Sequence, residues 1–350
     1  MKILYMYAEI MGYTLATITE LIEKYAAEIH VVHWDKKKLT PYEHENIKNA
    51  FFYNRSEYSS SMIKDLVRQI DPDLAVVSGW QDTGYLPAAR YLKKRGIPVV
   101  VGFDDQWHGY LRQYVASFLS ILLKLYFTHA WVSGPYQYEY ARRLSFKKQD
   151  IIFNLYSADL DIYNDVFNQC KATKKENYPH RFLFVGRFER IKGVDLLVVA
   201  WDKIRAQIKD WELHLIGNGS LKGYLQAQPG LFVHEFMQPH KLRDEVIKYG
   251  CFILPSRGEP WGVVIHEFAA AGLPIICSDV CGASSVFLIH GLNGFIFKSE
   301  DIDSLSKQML NIINSNDDDL FSMADYSHQL GQNITPALSA ASLVSVLKNK

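Results

Sequence analysis

The sequence predicts an α/β protein of two domains, each built on a parallel β-sheet. Short Val- and Ile-rich runs alternate with amphipathic helical patterns along the chain, as in consecutive βαβ units. The length of 350 residues exceeds the usual size of one domain and fits two domains of roughly 150 to 180 residues. We therefore expect one Rossmann-like domain at 1–155 and a second at 156–330. A C-terminal helix at about 330–350 should pack back on the first.

The first domain is expected to contain six strands with helices between most of them. The predicted strands are 2–7, 28–33, 50–53, 74–77, 98–102 and 130–132. The predicted helices are 13–25, 60–69, 84–95, 109–127 and 136–144.

The second domain repeats this plan. The repeat follows a predicted strand at 151–154 and a polar stretch at 156–179, which lacks clear periodicity and is predicted to be irregular. Further strands are predicted at 182–185, 212–216, 231–234, 251–254, 275–277 and 295–297. Helices are predicted at 194–208, 239–249, 262–271 and 302–313, followed by two more helical stretches, the last at 336–347.

Composition narrows the function classes. The 38 basic and 38 acidic residues cancel, so no charge footprint for nucleic acid is present. Four cysteines without paired Cys-x-x-Cys motifs, and a first strand where a signal peptide would lie, favour a cytoplasmic protein. The longest apolar run, 115–127, is too short to span a bilayer as a helix, which needs about 20 residues. We favour a buried helix there, with a surface helix resting on a membrane as the alternative.

Two carboxylates mark the candidate site. Glu259 and Glu267 follow the predicted strand 251–254 and lie on either side of the start of the predicted helix at Gly262 and Val263. Ligands of parallel α/β sheets bind at the carboxyl ends of the strands, and the free N–H groups of a helix N-terminus favour anions. Two carboxylates beside an anion site suggest a polyhydroxylated, phosphorylated ligand such as a nucleotide sugar.

A cationic pair follows the strand 182–185. Gly186 permits a turn there, and Arg187 and Lys192 can hold a diphosphate and neutralise the charge that grows as a glycosyl bond breaks. Paired carboxylates would also suit a glycosidase, in which one acid protonates and the other attacks or activates water. That mechanism has no use for the two cations, which argues against hydrolysis.

Glycines after the strand 212–216 are a further candidate element. Gly217, Asn218 and Gly219 would let a base or ribose approach the backbone closely, although any tight turn can use Gly-x-Gly. Two acidic pairs, Asp104-Asp105 and Asp159-Leu-Asp161, are interpreted as turn or helix-cap residues, so no metal site is predicted.

These motifs together resemble the donor-binding half of family 4 glycosyltransferases with the GT-B fold. The resemblance is carried by 184–197, 215–219, 255–267 and 282–295, and it covers roughly 180–300. It implies two Rossmann-like domains that face each other across a cleft, and retaining transfer from a nucleotide diphosphate sugar to an acceptor hydroxyl without a metal. By resemblance, Glu259 contacts sugar hydroxyls and Glu267 the ribose. Val286 stands where many relatives have Glu, so a donor contact there does not carry over.

The acceptor side departs from the family pattern. Gly12, a donor-binding candidate, is the single glycine where the family usually has a glycine-rich loop, and Phe103-Asp104 replaces its frequent His-Asp pair. Asp104 and His108, with Trp107 between them, are candidates for positioning an acceptor hydroxyl. A capped turn before the next helix is the alternative interpretation.

The resemblance also implies a biological setting. Many family members build bacterial surface polysaccharides such as capsule, O-antigen or exopolysaccharide on lipid carriers, so a saccharide or lipid-linked acceptor and peripheral membrane contact are expected. Two other classes stay open, namely a nucleotide-sugar epimerase of the same architecture and a non-catalytic nucleotide-sugar binding subunit.

Overall fold

The computed structural model describes residues 1–36, 47–208 and 210–348. It divides into two compact units. Met1–Ser157 with Ile334–Lys350 form the first, and Ala158–Asn333 form the second. The predicted division lay at 155 and about 330. The last two residues of the predicted terminal helix, 349 and 350, lie outside the described residues.

Strands occur within two residues of most predicted positions. In the described residues they are β1 (Lys2–Met6), β2 (Glu28–His33), β3 (Ala50–Asn54), β4 (Leu74–Ser78), β5 (Val99–Phe103), β6 (His129–Val132), β7 (Ile151–Ile152), β8 (Arg181–Val185), β9 (Glu212–Ile216), β10 (Leu231–His234), β11 (Cys251–Leu254), β12 (Ile275–Ser278) and β13 (Gly294–Phe297).

Helices connect most of these strands. In the described residues the α-helices are α1 (Gly12–Tyr25), α2 (Ser60–Ile70), α3 (Leu86–Lys94), α4 (Leu111–Phe118), α5 (Pro135–Arg143), α6 (Leu160–Glu176), α7 (Val194–Ile204), α8 (Lys222–Gln226), α9 (Pro239–Val246), α10 (Val263–Ala270), α11 (Ser284–Phe287), α12 (Ile302–Ile313), α13 (Asp317–Gly331) and α14 (Pro336–Lys348).

The first unit is a parallel sheet covered on both faces. Its strand order is β3-β2-β1-β4-β5-β6-β7. Adjacent residues of β1 point to opposite faces, as the alternation of a strand requires. Ile3 joins the core formed with α1 and α14, where Leu343 is fully buried, whereas Leu4 joins the core formed with α2, α3 and α5. The C-terminal helix thus supplies part of the first unit's core.

The second unit has the strand order β10-β9-β8-β11-β12-β13, also parallel. From β8 the chain moves outward through β9 and β10, then crosses back to place β11 on the other side of β8. The order reverses between β8 and β11, and ligands of open α/β sheets bind outside the carboxyl ends at such a point. Both units are Rossmann-like, which confirms the predicted fold class.

One prediction about the second unit is wrong. The stretch 156–179 is not irregular, because it contains the helix α6. Its buried side chains fall at helical spacing: Leu160, Tyr163, Val166, Phe167, Cys170 and Lys174. The helical spacing is weak in the sequence, because a tyrosine, a cysteine and a lysine occupy core positions that aliphatic residues usually fill.

The predicted burial of the longest apolar run is also wrong. Instead of one buried helix at 109–127, the structure has α4 followed by a 3₁₀ helix, Leu119–Leu125. Phe118 is 86% exposed and Ile121 is 69% exposed. None of the helices in the described residues combines the length and the apolar character needed to cross a membrane.

Candidate functional site

Two loops at the carboxyl edge of the second sheet meet where the strand order reverses. The first follows β8 and carries Lys192, and the second follows β11 and carries Glu259. The Lys192 Nζ donates to the Glu259 Oε2 at 2.5 Å, and the Ser256 hydroxyl donates to the same oxygen at 3.4 Å. The two ionic side chains are only 19% and 10% exposed. They therefore form a largely desolvated ion pair, which the sequence analysis did not foresee.

Arg257 fastens these loops to each other. Its guanidinium donates to both carboxylate oxygens of Asp195, at 2.7 and 2.9 Å, and its backbone N–H donates to the Ile191 carbonyl oxygen at 2.9 Å. Burial opposes ionisation of Asp195, but the hydrogen bonds and charge of Arg257 hold the pKa of that carboxyl below its usual value. A bidentate pair of this kind fixes geometry as well as charge. Arg257 was missed because its partner lies 62 positions away in sequence.

Gly193 allows the loops to approach within backbone contact. It adopts a φ of 68°, and a Cβ atom there would lie 1.8 Å from the Pro255 carbonyl oxygen. No side chain fits at that distance. This glycine therefore serves the packing of the loops after β8 and β11.

The predicted Gly217-Asn218-Gly219 turn packs on the loop after β8 in a similar way. A Cβ at Gly217 would lie 1.9 Å from the Gly186 carbonyl oxygen, and the Phe188 N–H donates to the Asn218 carbonyl at 2.8 Å. The glycines are thus required by backbone packing. A ligand role for them stays a prediction.

The helix α10 begins beside Glu259. Gly262 precedes its first residue with a φ of 90°, and a Cβ there would approach the Glu259 Cγ to 3.0 Å. Only glycine tolerates this conformation and spacing without strain. The first N–H groups of α10, starting with Val263, have no acceptor within the helix and favour an anion at this end. The structure thus brings Lys192, Glu259, Gly262 and Val263 to one edge.

Glu267 lies one turn further along α10 and is partly buried. Burial raises the pKa of Glu267 to about 7, the Tyr163 hydroxyl lowers it by hydrogen bonding, and the charge of Asp159 raises it. The carboxylate therefore changes ionisation near neutral pH. Asp159 and Tyr163 were not predicted as neighbours of Glu267, because the helix α6 that positions them was not predicted.

His266 is a packing residue. Its Nδ1 accepts the Ala158 N–H at 3.0 Å, and its Nε2–H donates to the Gly331 carbonyl oxygen at 2.8 Å. The ring stacks on Phe287 with centroids 4.0 Å apart. Burial lowers the pKa of His266 to about 4, so the imidazole is neutral at pH 7. Trp261 is likewise 1% exposed.

Arg187 differs from Lys192 in being unpaired. It is partly exposed in the loop after β8, and its backbone carbonyl oxygen accepts the Glu189 N–H at 2.9 Å. Its guanidinium makes no hydrogen bond or ion pair with any residue that the structure describes. Two residues on, Glu189 accepts hydrogen bonds from the N–H and hydroxyl of Ser220, at 2.9 and 2.6 Å. These bonds, and then the charge of Arg187, lower the pKa of Glu189. Arg187 is thus a cation that interacts with the charge of Glu189 but forms no direct ion pair among the described residues.

The acceptor-side candidates and Gly12 lie in the first unit. Gly12 is the first residue of α1, and Asp104 directly follows β5. Burial and then the charge of Asp104 raise the pKa of Tyr7 to about 12, and the same two causes raise the pKa of Tyr156. Asp104 therefore sits beside two phenols that the sequence analysis missed. Tyr7 could have been found, since it ends the first predicted strand.

His108 follows Asp104 by four residues. It is exposed on the segment before α4, with its ring centroid 5.3 Å from that of Tyr110, and its backbone N–H donates to the Gln113 Oε1 at 2.8 Å. Neither of these two contacts is a hydrogen bond to a ring nitrogen of His108.

Neither acidic pair is arranged with further ligands. Among the described residues, no group of three or more His, Cys, Asp or Glu side chains is arranged to hold a metal ion. Asp159 faces Glu267, and burial raises its pKa.

Comparison with known proteins identifies this site's domain. Residues 179–315 match the family described as glycosyl transferases group 1. The chain contains a group 1 glycosyltransferase domain. An uncharacterized glycosyltransferase of Methanocaldococcus jannaschii is 29% identical over 53% of this chain and 54% of its own length. The Mycobacterium tuberculosis glycogen synthase is 26% identical over 41% of this chain and 36% of its own length. The match spans about half, or less, of each relative.

Solved structures are similar in fold over the full length of this chain. HepE of Anabaena, solved in complex with UDP, superposes with a TM-score of 0.73 at 14% identity over 100% of both chains. Sucrose-phosphate synthase of Thermosynechococcus elongatus gives 0.74 at 15% identity, also over 100% of both chains. At such low identity the likeness concerns the fold, and it supports the GT-B class.

Proposed function

We propose that this protein transfers a sugar from a nucleotide diphosphate sugar to an acceptor hydroxyl. The observation that carries the proposal is the meeting of the two loops at the reversal of strand order. They present the paired Lys192 and Glu259 beside the start of α10, with the unpaired Arg187 on the first of these loops. Cations for a diphosphate thus lie close to a carboxylate for sugar hydroxyls.

Each donor group has a chemical counterpart in this arrangement. Arg187 and Lys192 hold the diphosphate and stabilise the charge that it gains when the glycosyl bond breaks. The first N–H groups of α10, at Gly262 and Val263, bind the sugar or the diphosphate. Glu267, when ionised, accepts hydrogen bonds from the vicinal hydroxyls of the ribose.

Glu259 then has two tasks. Without donor it neutralises Lys192, and with donor it accepts from sugar hydroxyls while the ammonium turns toward phosphate. Lysine suits this change of partner from carboxylate to phosphate, because its ammonium is a point charge on a flexible side chain. Gly186 and the Gly217-Asn218-Gly219 turn border the same edge, where the nucleoside would lie.

We assign acceptor binding to the first unit, with Asp104 and His108 as its candidate contacts, and we keep Gly12 as a candidate donor contact. Transfer is proposed to retain the anomeric configuration, with the departing diphosphate as the base on the acceptor. No metal or other cofactor is needed in this scheme, because Arg187, Lys192 and backbone N–H groups carry the leaving-group charge.

The names of two relatives support a proposed biological role. A Bacillus subtilis protein that is 34% identical over 31% of this chain is named for teichuronic acid biosynthesis, and another relative lies in a cps region of Klebsiella pneumoniae. We propose a role in bacterial surface polysaccharide assembly, on a saccharide or lipid-linked saccharide acceptor, in the cytoplasm.

One assay tests the reaction class. The protein is incubated with a panel of nucleotide sugars, with and without candidate saccharide acceptors, while nucleoside diphosphate and sugar products are measured. Release that depends on acceptor supports transfer. A changed sugar without acceptor would instead indicate epimerisation, and binding without turnover across the panel would indicate a non-catalytic subunit.

A further inference from the structure

The helix α4 carries its apolar stripe on the solvent side. Leu111, Tyr114, Val115 and Phe118 follow the spacing i, i+3, i+4, i+7 and are 81%, 57%, 49% and 86% exposed. A stripe of this spacing normally faces the protein core. Here most of it faces solvent, although the Tyr114 ring contacts that of Trp107 with centroids 4.9 Å apart.

Polar side chains occupy the inward face instead. Gln113 is only 1% exposed, and its Nε2 donates to the Gln106 carbonyl oxygen at 2.5 Å. Its Oε1 accepts the N–H groups of His108 at 2.8 Å and Tyr110 at 3.4 Å. These bonds fix the rotation of α4 about its axis, so the outward stripe is built into the fold.

The 3₁₀ helix Leu119–Leu125 continues the same arrangement. Its buried residue is Ser120, which lies seven positions after Gln113. The Ser120 hydroxyl lies 2.8 Å from the Ser145 hydroxyl. The ammonium of Lys93 donates to the Phe127 carbonyl oxygen at 2.6 Å and anchors the far end. The outward side chains of both helices define one apolar patch: Leu111, Tyr114, Val115, Phe118, Leu119, Ile121, Leu122 and Leu125. Contiguous exposed patches on soluble proteins mark interaction sites.

Charge around the apolar patch selects among partners. No aspartate or glutamate occurs from Gln106 to Tyr138, whereas Arg112 and Lys124 are exposed within the two helices. Lys147 and Lys148 are exposed just beyond the Ser145 contact. The two helices themselves carry no acid, and Glu139, just beyond this stretch, pairs with Arg143 at 3.1 Å. Apolar side chains interleaved with cations match a surface of anionic lipid headgroups over acyl chains. Tyrosines in the patch suit the same boundary, since their rings are apolar and their hydroxyls polar.

We infer that the apolar patch docks this protein on an anionic membrane surface. The aliphatic and aromatic side chains enter the boundary between headgroups and acyl chains, while Arg112 and Lys124 reach lipid phosphates. The helices lie in the plane of the interface rather than across it. The inference stands on the first unit alone and does not depend on the proposed donor site.

Vesicle flotation of the full chain tests the inference. Vesicles of phosphatidylcholine alone are compared with vesicles that also contain phosphatidylglycerol. The chain should float with the anionic vesicles, and the triple variant Leu111→Ser/Phe118→Ser/Ile121→Ser should stay in the soluble fraction. Reversing Arg112 and Lys124 to Glu should lower the partition by roughly tenfold or more, since each cation near an anionic surface contributes on the order of 1 kcal/mol.

Matched controls separate the apolar patch from general surface change. Met62, Ile247 and Leu338 are 49%, 37% and 41% exposed outside it, and their triple Ser variant should float like the wild type. Reversal of Lys175 and Lys307, exposed in the second unit, should also leave flotation unchanged. Unfolding curves confirm that every variant is folded.

Three outcomes would overturn the inference. The wild type fails to float with either vesicle, or the patch variant floats as well as its control. The third is a dimer by light scattering that the patch variant splits, without vesicle binding, which would make a second copy the occupant.

Discussion

Neutralising Glu259 should separate phosphate binding from sugar transfer. The Glu259→Gln variant keeps the shape of the side chain but removes the charge that lies 2.5 Å from the Lys192 ammonium. At that distance the gross attraction is about 7 kcal/mol for an effective dielectric constant of about 20. Desolvation of two side chains that are 19% and 10% exposed offsets most of it, so a net coupling of about 1 to 2 kcal/mol is expected.

That coupling opposes any phosphate that competes for Lys192. Free nucleoside diphosphates should therefore bind the Glu259→Gln variant roughly fivefold to thirtyfold more tightly, whereas transfer should fall because the sugar loses its acceptor group. Calorimetric titration with UDP, GDP and ADP measures the first effect, since the phosphate contact does not depend on the base. The double variant Lys192→Met/Glu259→Gln should abolish the gain. Glu300→Gln is the control, because Glu300 pairs with Arg257 at 3.1 Å and not with Lys192. Weaker or unchanged diphosphate binding in Glu259→Gln would refute this role of the pair.

Three further substitutions probe the scaffold of the site. The folded pKa of Glu267 is about 7 against an ordinary 4.5, so the folded state loses stability as the pH rises from about 4.5 to 7. In urea unfolding at pH 8, the Glu267→Gln variant should therefore be about 1 to 2 kcal/mol more stable than the wild type. At pH 4 it should show no such gain. The folded pKa of His266 is about 4 against an ordinary 6.5, so the free energy of unfolding falls as the pH drops below about 6.5. The His266→Leu variant should be about 2 to 4 kcal/mol less stable than the wild type at pH 7, and its free energy of unfolding should fall less on acidification. Gly193→Ala, with its Cβ driven into the Pro255 oxygen, should destabilise by about 3 kcal/mol or more in thermal unfolding, whereas Gly223→Ala, which meets nothing within 4 Å, should not. Equal stability of Glu267→Gln and wild type at both pH values, unchanged pH dependence in His266→Leu, or equal effects of the two glycine substitutions would contradict the respective argument.

The sequence predicted the fold where its signal is local. Runs such as Glu28–His33 and Cys251–Leu254 were found with correct ends, because apolar strands bounded by turn residues stand out from amphipathic helices. The positions of Lys192 and Glu259 at strand ends followed from the same pattern. Their residue types then suggested the ligand chemistry.

What the sequence did not predict depends on contacts between distant segments. The Lys192–Glu259 pair and the Arg257–Asp195 clamp arise because β11 lies beside β8, and strand order is not encoded in any local pattern. The outward rotation of α4 was missed for a related reason. An apolar stripe predicts burial by default, and only the hydrogen bonds of Gln113 reveal which face turns inward.

The central claim, that the cations after β8 hold the donor's diphosphate, is tested most directly at Arg187. With the donor and acceptor found by the panel assay, kcat is measured for Arg187→Ala and for Arg190→Ala, a control three positions away whose side chain is 81% exposed. We predict a loss of roughly 100-fold or more for Arg187→Ala with unchanged unfolding, and a change within about threefold for Arg190→Ala. Near-normal turnover in Arg187→Ala, or equal losses in both variants, would contradict the account.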